Sequence, residues 1–158
     1  MTTGREDIAT TAEAMEASIL RPSAGVVHAD PEAPVTVEQE PLPEAITREP
    51  INAKSPARWA YERLILYIRN FETKLEAGQE VAIGFAGSDA GVLRIEGLGY
   101  FDPDIVTFYG TDEDGTRTQL IQHVSQLNVM LQAIRTGTAE TPPRRIGFRL
   151  AERLEQGD

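Results

Sequence analysis

TRTQLIQHVSQLNVMLQAIR, from Thr116 to Arg135, is the stretch on which the fold turns, because it carries two periodicities at once. Leu120, Val124, Leu127, Leu131 and Ile134 fall at i, i+4, i+7, i+11 and i+14, which is one face of a helix ending before Gly137. Against that, Thr116, Thr118 and Ile121 prefer a strand, and Val129-Met130-Leu131 reads as another after a short turn at Ser125 to Asn128. Strand, tight turn, strand is the reading taken here. It makes the region after Gly78 a curled sheet, whereas a continuous helix would remove any barrel.

The residues on the N-terminal side support a sheet. Gly110 to Gly115 is an acidic, glycine-bounded hairpin turn, and Ile105-Val106-Thr107-Phe108-Tyr109 before it is β-branched and aromatic. Tyr100-Phe101-Asp102-Pro103-Asp104 turns the chain. Val92 to Gly99 alternates, with Leu93 and Ile95 on one face and Arg94 and Glu96 on the other, and Gly97 and Gly99 let this strand bend. Val81, Ile83 and Phe85 alternate likewise before the turn at Gly87-Ser88-Asp89-Ala90-Gly91. Ahead of them lies a helix, with Ser55 as N-cap, Pro56 at the first position, Lys74 in the last turn and Gly78 closing it. Its apolar stripe is Ala60, Leu64, Tyr67, Phe71 and Leu75, broadened by Trp59, Tyr61, Ile65 and Ile68.

Composition sets the boundaries. Residues 1–53 hold three basic residues against ten acidic ones, six prolines and no aromatic residue. Such a stretch buries too little apolar surface to offset a backbone ordering cost of roughly 1 to 2 kcal/mol per residue, so it reads as a disordered acidic leader. Within it, Ile8, Met15 and Ile19 give Asp7 to Leu20 some helical spacing. Residues 54–135 hold the only Trp and all four Tyr, and form the domain: a helix on a small, bent, antiparallel β-barrel-like sheet, of α+β class. Residues 136–158 are a linker, split by Pro142-Pro143, and a short C-terminal segment with Arg144, Arg145, Phe148 and Arg149, read as a solvated tail or short packing helix.

The whole chain of 158 residues carries a formal charge of −10 and has a pI near 4.7. That balance disfavours unaided binding to DNA or an anionic membrane, because phosphate affinity needs a local excess of Lys and Arg. There are 0 Cys, which excludes disulfides, Cys-ligated zinc and thiol nucleophiles. No apolar run approaches membrane-spanning length and Met1 to Leu20 lacks signal-peptide character, so a cytoplasmic protein is expected.

Trp59-Ala60-Tyr61-Glu62-Arg63-Leu64, Phe108-Tyr109-Gly110-Thr111-Asp112-Glu113 and the run from Gln119 to Leu127 are signatures by which Ser55 to Ile134 resembles an uncharacterised bacterial domain-of-unknown-function family. That resemblance implies no activity. More distantly, a helix followed by five strands, a glycine-bearing second strand, Phe101-Asp102 before the third and a His near the end of the fourth resemble the Sm-like fold of the bacterial RNA chaperone host factor Q. The resemblance implies subunit contacts and part of an RNA pore at a Tyr-Lys-His run. Here the matching positions are Ile121, Gln122 and His123, so the Tyr and Lys are absent.

The candidate ligand or interface residues are Gln122, His123, Gln126 and Asn128, with Tyr100 and Tyr109 as stacking faces. Amide and imidazole groups of this kind form directional hydrogen bonds to base edges or peptide backbone, or equally fix a turn or subunit interface. Asp112-Glu113-Asp114-Gly115 reads as a turn rather than a calcium loop, which needs ligands spread over about twelve residues. Asp102 and Asp104 read as turn formers. A paper triad of Ser125, His123 and Asp102 lacks a glycine elbow, and the Gly84, Gly87 and Gly91 spacing lacks the Lys-Ser/Thr of a phosphate loop. No catalytic, metal or cofactor residue is assigned. The expectation is a non-enzymatic homo-oligomeric binding or scaffold module with a protein or RNA partner; Sm-like binding of single-stranded RNA is the alternative, and an enzyme using His123 with Asp102 or Asp104 a third.

Overall fold

The computed structural model describes residues 23–87, 91–135 and 145–156. The Asp7 to Leu20 expectation and Pro142-Pro143 with Arg144 lie outside them. In chain order the regular elements are a 3-10 turn at Val37–Gln39, α1 (Glu44–Thr47), a 3-10 turn at Ile51–Ala53 and α2 (Pro56–Glu72). There follow β1 (Gln79–Phe85), β2 (Val92–Phe101), β3 (Ile105–Thr111), β4 (Arg117–His123), a 3-10 turn at Val124–Gln126, β5 (Val129–Arg135) and α3 (Ile146–Glu155).

The contested stretch is strand, 3-10 turn, strand. All five strands form one open antiparallel sheet in the order β4-β3-β2-β1-β5. Helical spacing in Leu120 to Ile134 is thus incidental: on β4 and β5 every second residue faces inward, and Leu120, Val129 and Leu131 pack against the core by that rule. The β3–β4 register runs from Thr111↔Arg117 to Ile105↔His123. In β2 the ladder shifts between Ile95 and Gly97, a bulge that leaves Glu96 outside the register. Opposite it Gly110 lies so close to β2 that an added Cβ would stand 2.1 Å from the Arg94 carbonyl oxygen, so only glycine fits.

Helix α2 begins as its sequence dictates, with the Ser55 hydroxyl accepting the Arg58 N–H at 3.0 Å and Pro56 in the first turn. It ends at Glu72, earlier than the lysine and glycine signals imply, and Gly78 instead takes φ 85° in the connection to β1. The buried face is centred on Ala57, Tyr61, Ile65 and Ile68, with Ala60, Leu64 and Phe71 at its margin and Tyr67 exposed on the far side. The stripe is broad because α2 is covered on two sides, by the sheet and by the preceding segment.

Within the stretch read as a leader, residues 35–54 lie against α2. Ile46 on α1 is 1% exposed, Lys54 donates to its carbonyl, Asn70 donates to Val35 O at 3.2 Å, and the Tyr67 hydroxyl donates to Glu38. One deeply buried isoleucine and the bonds that Lys54 and Asn70 donate to backbone carbonyls hold these residues in place. Hydrogen bonding to Tyr67 holds the Glu38 carboxyl below the usual carboxylate range.

Helix α3 docks across α2, burying Leu150 and Ala151. Gly147 permits the approach, since a Cβ there would meet Glu72 Oε1 at 2.7 Å and the Arg69 Cα at 2.8 Å. The buried Glu72 carboxylate accepts the Phe148 N–H at 3.2 Å, acting as a cap supplied by another helix to N–H groups that α3 leaves free. Arg145, just before α3, donates to the Gln79 carbonyl at 2.6 Å.

Candidate functional site

The Asp102-Pro103-Asp104 turn between β2 and β3, with a cis bond before Pro103, joins three parts of the chain. The Ser55 hydroxyl donates to Asp102, and the Ala57 N–H donates to the Pro103 carbonyl at 3.0 Å, so the start of α2 is seated on this turn. The Val124 N–H donates to the Asp104 carbonyl at 2.8 Å, and His123 Nε2 lies 3.0 Å from Asp104 Oδ2. Both meetings follow from hairpin register, because pairing Ile105 with His123 brings the flanking residues Asp104 and Val124 together.

His123 caps the 3-10 turn that follows. The Ser125 N–H donates to its Nδ1 at 3.1 Å, and the Ser125 hydroxyl stands 2.8 Å from the same atom. An Nδ1 that accepts leaves Nε2 to carry the proton toward Asp104. Gln126 completes the cap, its Oε1 accepting the His123 N–H at 3.1 Å. The His123 and Asp104 side chains are 45% and 40% exposed, and no described cavity is lined by them or by Ser125. The paper triad therefore falls apart as written: Asp102 is engaged by Ser55, and its place beside His123 is taken by Asp104. Ser125, His123 and Asp104 form a hydrogen-bonded chain on an open surface that fixes the β4–β5 turn.

The other candidates do not converge on it. Gln122 faces inward from β4 and lines a cavity of ≈ 270 Å³ with Phe85, Leu93 and Leu120. Its Oε1 is buried with no hydrogen-bond partner among the described residues. Asn128 contributes its carbonyl, which accepts the Ala86 N–H at 3.3 Å. Tyr100 sits on the inner side of β2 with its ring 4.9 Å from that of Tyr61 on α2, while Tyr109 lies on the outer face over Gly97 and Gly99. Phe101 at 76% and Ile121 at 62% exposure share that outer face. The six residues thus occupy the inner face, the turn and the outer face, so no single ligand touches all of them.

Sequence reasoning missed a charge network at the start of α2. Lys54 and Glu62, 8% and 2% exposed, pair at 2.7 Å. Arg58 reaches Glu62 at 3.6 Å and forks onto Glu49 with bonds of 2.7 and 2.9 Å. The Glu62–Arg58 spacing is an ordinary i,i+4 helix pair visible in the sequence, but Glu49 and Lys54 enter only because the preceding segment folds back. Among the described residues, no group of three or more His, Asp or Glu is placed to hold a metal ion, and no helix is long and apolar enough to cross a membrane.

Fold and surface together define a small α+β module: an open five-stranded sheet, helices on one side and a turn-fixing His–Asp pair at one end. The chain belongs to DUF6173, a family of unknown function whose sequence model matches residues 51–149. No curated protein and no solved structure matches it. The family span begins at the 3-10 turn before α2 and runs into α3, so it takes in the whole sheet.

Proposed function

We propose that this protein is a non-enzymatic homo-oligomeric binding or scaffold module, assembled through the edges of its sheet. The observation that carries the reading is that β4 and β5 are both edge strands, each with one neighbour and with large apolar side chains, Ile121 and Met130, exposed. An unpaired edge is a template for another strand, and a β4 edge that takes the β5 edge of a second copy is a head-to-tail contact, which closes into a ring when the rotation permits. The turn-fixing bonds of His123 serve this by holding the two edges in a fixed relation. Light scattering on a sizing column tests it. The wild-type chain is expected to elute as a multimer at micromolar concentration, and Ile121→Lys with Met130→Lys as a smaller species with an unchanged circular dichroism spectrum. A wild-type monomer would remove the proposal.

The alternative is an Sm-like, curled sheet that binds single-stranded RNA. It draws support from the element order: a helix, five antiparallel strands and a 3-10 turn between the fourth and fifth, with His123 closing the fourth. Against it stand the −10 charge, the inward aim of Gln122 and the engagement of both His123 ring nitrogens. It requires salt-sensitive binding of short oligonucleotides that weakens in His123→Ala.

A further inference from the structure

Between α1, the first turns of α2, β2 and the end of α3 lies a cleft of ≈ 240 Å³ walled by Arg48, Glu49, Arg58, Tyr61, Glu62 and Tyr100. Its charges can be assigned one by one. Glu62 is engaged by the buried Lys54, and Arg58 is forked onto Glu49. Arg48 forms no ion pair among the described residues, and neither Tyr61 nor Tyr100 places its hydroxyl in a hydrogen bond there. Burial pushes the Tyr61 phenol above its ordinary value, which keeps its hydroxyl a donor. In a chain of net charge −10, two guanidinium groups, those of Arg48 and Arg58, thus line one cleft with two phenols whose donors are unused.

We propose that this cleft binds a small-molecule oxyanion, a carboxylate or a phosphate, seated on the Arg58 guanidinium, with Glu49 as its internal competitor. A guanidinium presents the same two parallel N–H groups to any carboxylate or phosphate, and Glu49 shows that this fork opens into the cleft. The Glu49 side chain is 47% exposed, and an exposed ion pair contributes little, so an anion that also collects Arg48 and the two hydroxyls makes contacts that Glu49 does not. Leu154 and the tyrosine rings give the cleft an apolar wall for the rest of such a molecule. This inference stands apart from the oligomer reading, because none of these residues lies on β4 or β5.

Calorimetric titration of the full chain with inorganic phosphate and, separately, with succinate tests it, the two arms distinguishing phosphate from carboxylate. Binding of at least one anion is expected in the millimolar range, tightened about fivefold or more in Glu49→Gln by loss of the competitor. Arg48→Ala and Tyr100→Phe should each weaken it about three- to tenfold, as loss of one donor to an anion does. Affinity unchanged in both of those variants would mean non-specific association and overturn the site. So would no uptake of either anion at about 50 mM by a Glu49→Gln chain with a wild-type melting curve. Should Glu49→Gln not melt cooperatively, aromatic resonances of the wild-type chain decide. Phosphate- or succinate-induced shifts confined to Tyr61 and Tyr100 support the site, and their absence with both anions overturns it.

Discussion

Strands β1 and β4 are both seven residues long and belong to one sheet, yet they are built to opposite specifications. Every interior residue of β1, Glu80 to Gly84, is buried, because the strand is paired on both sides, Val81 and Ile83 point into the core, and Glu80 on the opposite face is engaged by Arg94. On β4 exposed and half-buried residues alternate from end to end. Even the charge on Glu80 is accommodated by Arg94 Nη2 at 2.8 Å, whereas Ile121 on β4 is left facing outward. The difference teaches where the molecule invests its order. The centre of the sheet is closed to further contact, and its rims are held by turns rather than by burial.

That contrast can be broken by substitution. Phe108→Ala on β3, fully buried next to Phe85 at a ring separation of 5.1 Å, should cost about 3 to 5 kcal/mol in urea denaturation. Ile121→Ala, of comparable apolar size, should stay within about 0.5 kcal/mol in the isolated subunit. Equal losses at the two positions would show that the rim is as buried as the centre. Gly110→Ala comes next, at about 2 to 3 kcal/mol, since the new methyl must push the Arg94 carbonyl aside; a neutral result would mean that the β2 bulge yields freely.

Buried charge sharpens the same comparison. Glu80 has a full guanidinium partner, while Glu72, under α3, has N–H donors that do not outweigh burial, which pushes its carboxyl above the usual carboxylate range. A raised carboxyl binds its proton more tightly in the folded chain than in the unfolded one. Its favourable contribution is therefore full below the usual range and is lost as pH rises through the raised value. Thermal melts of wild type and Glu72→Gln across mildly acidic pH should differ by a slope of at most about one proton, with the wild type losing more on the way up. Smallest is Gln122→Met, expected to gain up to about 1 kcal/mol by removing an unsatisfied buried oxygen; a loss would mean that the amide is satisfied in the native assembly.

Much of this architecture is legible in the residues. Ser55-Pro56 marks the start of α2, and alternation marks β1 and β2. At 116–135 β-branched residues decide against a helical spacing that fits equally well, because edge strands bury only one side. The site is far less legible. Asp104 becomes the partner of His123 only through the β3–β4 register, and that could have been counted outward from the Gly115 turn. The Glu49–Arg58 fork could not, since Glu49 lies in the stretch read as a leader and nothing in its sequence marks it as a partner of α2.

The turn at Asp102–Asp104 has an evolutionary and practical corollary. Two neighbouring segments take their positions from three successive residues, so its length is fixed to the residue. An insertion there would displace the beginning of α2 and the β4–β5 connection simultaneously. The Asp112–Thr116 turn, whose bonds among the described residues are internal apart from the Thr118 hydroxyl on the Thr116 carbonyl, imposes no such limit and is where a tag or spectroscopic reporter belongs.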